Sequence, residues 1–206
     1  MSARWLLFGA VLCALPAQGA NPTLPDAVVG ALGPVDSVPT RAALDEVFAP
    51  SLAIDRLVVI AGDDSHDLGI QLRAIRALPT YCPQAAGTCG PGVPSHDTLV
   101  LLIERYRTGP ASPASTLRLR AAAEALGATR SGLPEDVDVL LTLLGDADHK
   151  LDGHPSLDVR AAAARAIGQL CNRDASSALF PHLLDPAPQV VAQVTVALQS
   201  LELCSK

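Results

Sequence analysis

The stretch GDADHKLDGHPSLD, residues 145–158, gathers Asp146, Asp148, Asp152, His149 and His154 around Gly153. Clustered carboxylates in a glycine-containing turn are the oxygen ligands that calcium takes, and Asp146, Asp148 and Asp152 are the residues that would hold it. The spacing departs from an EF-hand loop: Lys150 and Leu151 stand at its fifth and sixth positions, and no glutamate closes it at the twelfth. His149 and His154 lack the i,i+4 spacing that pairs two imidazoles on one helix face for a transition metal. A solvated acidic turn is the plainer alternative. Ser-His-Asp occurs twice, at 65–67 and 95–97. A hydrolase built on such loop histidines and aspartates needs its groups to converge in space, which adjacency in sequence does not achieve. There is no G-x-S-x-G elbow, no H-E-x-x-H and no phosphate-cradling glycine loop. The second Ser-His-Asp reads more simply as an N-cap cluster opening a helix at Thr98. No catalytic residue is assigned, no cofactor is expected, and the chain reads as a non-enzyme.

The arginines are distributed unevenly. Arg73, Arg76, Arg118, Arg120, Arg160 and Arg165 lie in alanine-rich stretches with few acids, whereas Asp45, Glu46, Glu135, Asp136 and Asp138 lie in stretches rich in Leu and Val. Grouped guanidinium groups suit the recognition of carboxylates by charge-assisted, often paired hydrogen bonds. Arginines that are solvated or paired within the protein are the alternative.

These side chains must be positioned by helices. Thr40 offers an N-cap for a helix with Leu44, Val47 and Phe48 on one face, which Pro50 ends. Beyond it, two kinds of segment alternate. Leu- and Val-rich helices are predicted at 52–61, 98–106, 135–144 and 175–184, and Ala-rich helices at 68–78, 117–126, 157–170 and 190–201. Apolar residues at helical spacing bury one stripe, and alanines let neighbouring helices approach closely. One such hairpin cannot bury its own face, so hairpins stack. Residues 21–38 carry several prolines and glycines and read as an extended arm or linker.

The Ala-rich segments carry a family resemblance. VRAAAARAIG (159–168) resembles the second-helix signature of HEAT repeats, and IQLRAIRAL (70–78), RLRAAAEALG (118–127) and VVAQVTVAL (190–198) align beneath it. The aligned anchor residues Leu78, Leu126, Ile167 and Leu198 are 48, 41 and 31 residues apart, bracketing the period of about 40 expected of such arrays. LLDPAPQVV (183–191) is similar to the turn between paired helices. The arginine slot of the pattern is kept only at Arg160; Gln71, Leu119 and Val191 fill it elsewhere. The resemblance spans residues 50–203 and implies an all-α, right-handed α-solenoid of about four helix pairs over residues 39–206. It further implies that Arg160 bonds within or between repeats near Asp146, and that the Ala-rich helices line a concave face. Arg73, Arg76, Arg118, Arg120 and Arg165 would then form a basic inner ridge. Such a ridge fits an acidic segment of another protein, making the chain an interaction or scaffolding module.

Stacking of repeats also bears on the cysteines. Cys171 and Cys204 are 33 residues apart, close to the local 31-residue repeat, so stacked helices would bring them side by side. Cys82 and Cys89, seven apart in a Pro- and Gly-dense insertion, would close a small loop. Free thiols or a metal site are the alternatives, but no C-x-x-C pair occurs. Outside the first twenty residues, which hold Cys13, four cysteines remain, and an even number suits an exported chain.

The first residues agree with that. Arg4, the apolar run from Trp5 to Leu15 and the small residues ending at Ala20 read as a signal peptide over residues 1–20, too short in its apolar part to span a bilayer. Without it the chain has 14 Lys and Arg against 21 Asp and Glu, which disfavours nucleic acid or an anionic membrane surface as partner. No later stretch is long and apolar enough for membrane insertion. With 49% apolar but 3% aromatic residues, the core is built from Ala, Leu and Val, as closely stacked helices require. A periplasmic or secreted location in bacteria follows as the expectation.

Overall fold

A computed structural model describes residues 24–33, 37–83, 89–145, 149–151 and 154–204. Among the described residues the chain is all-helical apart from one minimal antiparallel pairing. The helices are α1 (Asp26–Leu32), α2 (Arg41–Phe48), α3 (Ala53–Gly62), α4 (Leu68–Ala77), α5 (Pro94–Thr108), α6 (Pro113–Ala128), α7 (Pro134–Gly145), α8 (Leu157–Leu170), α9 (Ala175–Leu179) and α10 (Pro188–Leu203). Short 3-10 turns follow α4 at Leu78–Tyr81 and α9 at Phe180–Leu184. Between α7 and α8, β1 (Lys150–Leu151) pairs with β2 (His154–Pro155).

The helix starts are set by local chemistry. The side chains of Thr40, Asp67, Ser112 and Ser156 each accept a hydrogen bond from a backbone N–H in the first turn of the helix that follows. Pro94, Pro113, Pro134 and Pro188 stand at the first helical position, where a missing N–H costs nothing. This corrects the expected start at Thr98. The helix opens at Pro94 instead, so Ser95 and His96 are buried in its first turn rather than capping it.

The stretch expected to be a linker is also corrected. Within residues 21–38, Asp26–Leu32 forms α1, which packs on α2 and α4 and buries Val28 and Leu32 in the core. Pro25 and Gly33 bound this helix rather than break it, and Val28 and Leu32 sit one turn apart on its inner face. Pro181, in contrast, does interrupt the last Leu-rich segment, which tightens into a 3-10 turn there.

The alternating segments pack as two layers. The Ala-rich helices contact one another in chain order, α4 on α6, α6 on α8 and α8 on α10. The Leu-rich helices α3, α5, α7 and α9 do the same, each also covering the Ala-rich helix that follows it. A continuous apolar core runs between the layers from Leu32 to Leu201. The Ala-rich contacts are backbone-close: a Cβ on Gly127 would stand 2.6 Å from Ala166 Cα, and one on Gly168 2.6 Å from Ala197 Cα. Both glycines directly follow an anchor residue, and both alanines directly precede one. The Ala-Leu/Ile-Gly motif is therefore a docking register from helix to helix.

Candidate partner-binding groove

The residue two places before each anchor is Arg76 on α4, Glu124 on α6, Arg165 on α8 and Val196 on α10. Stacking makes these four a ladder across the Ala-rich layer. Glu124 Oε2 lies 3.2 Å from Arg76 Nη2, and its Oε1 lies 2.8 Å from Arg165 Nη2. Arg120, one turn earlier on α6, donates to the same Oε1 from Nε at 3.0 Å. Three guanidinium groups thus share one carboxylate. Arg120 also stands 3.9 Å from Asp158, which is largely exposed and adds little.

Arg120, Glu124 and Arg165 head a groove of about 320 Å³ running across α6, α8 and α10. Its floor is Ala161, Ala162 and Ala192, and α10 adds the amides of Gln189 and Gln193. The arginines keep unused N–H donors, since Glu124 engages one nitrogen of each. The groove sets Arg120 and Arg165 beside Glu124 and the exposed Asp158 at one side, amides at the other and little steric bulk between.

Arg73 and Arg118 are engaged elsewhere. Arg73 donates from Nε to the carbonyl of Leu32, tying α4 to the end of α1. Arg118 donates to Gln71 Oε1, lies 3.6 Å from Asp64 and sits over the Tyr106 ring at 5.7 Å. Asp64 is the centre of this second cluster. It accepts from Tyr106 Oη at 2.7 Å, Arg105 Nη2 at 2.8 Å and Gln71 Nε2 at 3.2 Å. Burial pushes its pKa up, but the hydrogen bonds from Tyr106 and Gln71 and the charges of Arg118 and Arg105 outweigh that and hold it below the usual carboxylate value. The Tyr106 hydroxyl is pushed up to about 12, first by burial and then by its bond to Asp64.

The arginine slot has a structural equivalent where the sequence lacks arginine. Arg160 Nε donates at 2.9 Å to the carbonyl of Leu144, the penultimate residue of α7. Gln71 Nε2 donates at 3.0 Å to the carbonyl of Ala61, the penultimate residue of α3. Both satisfy an acceptor that the preceding helix leaves without an internal donor. Arg160 further pairs with Asp185 in the turn before α10, so it bonds across repeats; its expected neighbour Asp146 lies outside the described residues.

The second Ser-His-Asp sequence does not set its serine against its histidine. Ser95 Oγ lies 3.5 Å from Cys82 Sγ, while His96 is bonded through Nε2 to Asp136 at 2.9 Å and through Nδ1 to Asp97 at 3.2 Å. Ser131 donates to the other oxygen of Asp136, so a buried polar chain ties the start of α5 to the start of α7. His66 faces Asp63 at 3.6 Å. His149 is buried, with Nε2 3.0 Å from Thr116 Oγ1 on α6. Asp146, Asp148 and Asp152, the residues read for calcium, lie outside the described residues. Among the described residues no three His, Cys, Asp or Glu side chains converge as a metal would need. The cysteines pair as Cys82–Cys89 and Cys171–Cys204, with Cα separations of 5.1 and 5.5 Å.

Glu124, Gln189 and Gln193 are not singled out by the sequence, and Asp64 is legible there only as an aspartate in a loop between paired helices. For Glu124 a signal was present: it is the lone acid of RLRAAAEALG and stands at the same register as Arg76 and Arg165. No protein-family model matches the chain, and no curated protein matches it.

Proposed function

We propose that the chain is a non-catalytic protein-binding or scaffolding module of an extracytoplasmic compartment, the bacterial envelope by its signal-like first residues. We read its paired layers as a right-handed α-solenoid of HEAT-like repeats, with residues 1–20 removed on export. The groove at Arg120, Glu124 and Arg165 receives an acidic segment of another protein. The observation that carries this reading is the sharing of one carboxylate, Glu124, by three guanidinium groups beside a floor of alanines. A partner carboxylate there meets guanidinium N–H donors that Glu124 leaves unused and the amides of Gln189 and Gln193. The two cysteine pairs support an oxidising environment. Among the described residues no helix is long and apolar enough to cross a membrane.

The test is capture from envelope extract by the oxidised protein, with elution in salt steps and identification by mass spectrometry, beside the variant Arg120→Glu/Arg165→Glu. A partner retained by the native protein, released by moderate salt and lost with the variant is the expected result. The same proteins eluting from both at the same salt rejects the groove.

A further inference from the structure

We propose that the cleft between α1, α2 and α3 binds a small amphipathic carboxylate, an apolar chain that sets its carboxylate on Arg56 and a hydroxyl at its far end on His66. The helices before α3 are short, seven and eight residues, and they leave one stripe of α3 open. Leu52, Arg56, Val59 and Asp63 follow that stripe at helical spacing. Among the described residues this makes a cavity of about 430 Å³, inside the range of about 300–1,000 Å³ typical of small-molecule sites. Its floor is Val28 and Ile60, both buried, and Phe48 forms a half-buried wall. Leu52 and Val59, both exposed, make the rim.

Two polar side chains in this apolar setting select the ligand. Arg56 is exposed, and its guanidinium makes no hydrogen bond or ion pair among the described residues. Arg76, Arg105, Arg120 and Arg165 each hold a carboxylate of this chain; the complement of Arg56 is an anion supplied from outside. His66, in the turn after α3, is the second. Its side chain is only 7% accessible, and its Nε2 stands 3.6 Å from Asp63 Oδ2, outside hydrogen-bond length. Neither ring nitrogen makes a hydrogen bond among the described residues. A buried polar group left so is costly, and a ligand hydroxyl bonded to it relieves that cost. Asp63, which accepts from the Ser65 N–H, repels a carboxylate at this end, so the group bound at His66 is neutral. Arg56 and Asp63 are seven residues apart, about 10 Å along α3, with Val59 and Ile60 between them. A carboxylate and a hydroxyl joined by an apolar chain match that order of groups.

Isothermal titration calorimetry of the oxidised protein with ω-hydroxyoctanoate tests the site, and a dissociation constant below about 1 mM is expected. Octanoate and octanol, which each lack one polar end, should bind at least about fivefold more weakly. Arg56→Gln should weaken the hydroxy acid at least about tenfold; the position is exposed, so unchanged helical circular dichroism confirms the fold. His66→Leu should bind the hydroxy acid and octanoate alike. Arg120→Glu/Arg165→Glu should leave the binding unchanged, which separates this cleft from the groove. No binding at about 1 mM, affinity unchanged in Arg56→Gln, octanol bound as tightly as the hydroxy acid, or loss of binding in Arg120→Glu/Arg165→Glu overturns the proposal. In the first case the cleft takes an apolar side chain of a protein or no occupant at all.

Discussion

At the scale of residues, the polar side chains of this protein are mostly occupied with one another. Asp64 collects Tyr106, Arg105, Gln71 and Arg118, and Asp136 collects His96 and Ser131. Because the folded-state pKa of Asp64 is lowered, its contribution to stability is complete above the unfolded value of about 3.9 and is lost as pH falls through the lower folded value. Melting temperature measured down to about pH 2 should therefore fall less steeply in Asp64→Asn than in the native chain, from a lower plateau at neutral pH. Tyr106 has the opposite sign: raised to about 12, it contributes stability below the unfolded value of about 10 that is lost as pH rises between the two. Of the arginines expected on a basic ridge, Arg118 belongs to the Asp64 cluster and Arg73 holds the Leu32 carbonyl. Composition shows that arginines share a helix class, but what Arg73 and Arg118 meet depends on partners 41 and 47 residues away.

At the scale of elements, the decisive feature is the distance between Ala-rich helices. Gly127 and Gly168 sit where any side chain would strike the backbone of the next helix, and neither can relax without moving that helix. Gly127→Ala should cost about 2–3 kcal/mol as an overpacking change. Gly30, in the middle of α1, has open space where its Cβ would be, and Gly30→Ala should instead stabilise by about 0.5–1 kcal/mol through helix propensity. Urea unfolding of both variants checks the contrast; equal effects would mean that the close register is not what the glycines serve. Helix identity and most boundaries were legible, because periodicity, caps and prolines act within a few residues. The two misplacements have local causes. At α1 the weight of Pro and Gly on either side hid the Val28–Leu32 repeat. At α5 a cap-like Ser-His-Asp drew attention past Pro94, which starts the helix.

At the scale of the whole molecule, α1 packs on α4 at one end of the described stack and α10 packs on α8 at the other. The Cys171–Cys204 bridge fastens that last helix to the one before, closing a loop of 33 residues. Cys171→Ser/Cys204→Ser should lower stability by about 3–4 kcal/mol in the chain-entropy model, read by thermal unfolding under non-reducing conditions. The loss should fall first on α10, visible as faster amide exchange there than in α6. If α10 and α6 exchange alike, the last helix unfolds with the body and the bridge is not its fastener.

The sequence by itself determined the helical class and the alternation of Leu-rich and Ala-rich elements, and it led to the expectation that the cysteines pair as they do. Each follows from a period or a spacing, and helical periods are enforced by bonds between residues four apart. Only the tertiary structure decided that three arginines meet at Glu124 while two others serve Asp64 and the Leu32 carbonyl. It also decided that Gln71 takes the part of an absent arginine. A salt bridge between stacked helices depends on rotation and register between elements far apart in the chain, and a change of about 100° in either helix would dissolve it. Such contacts exist only once the core has fixed both helices in place.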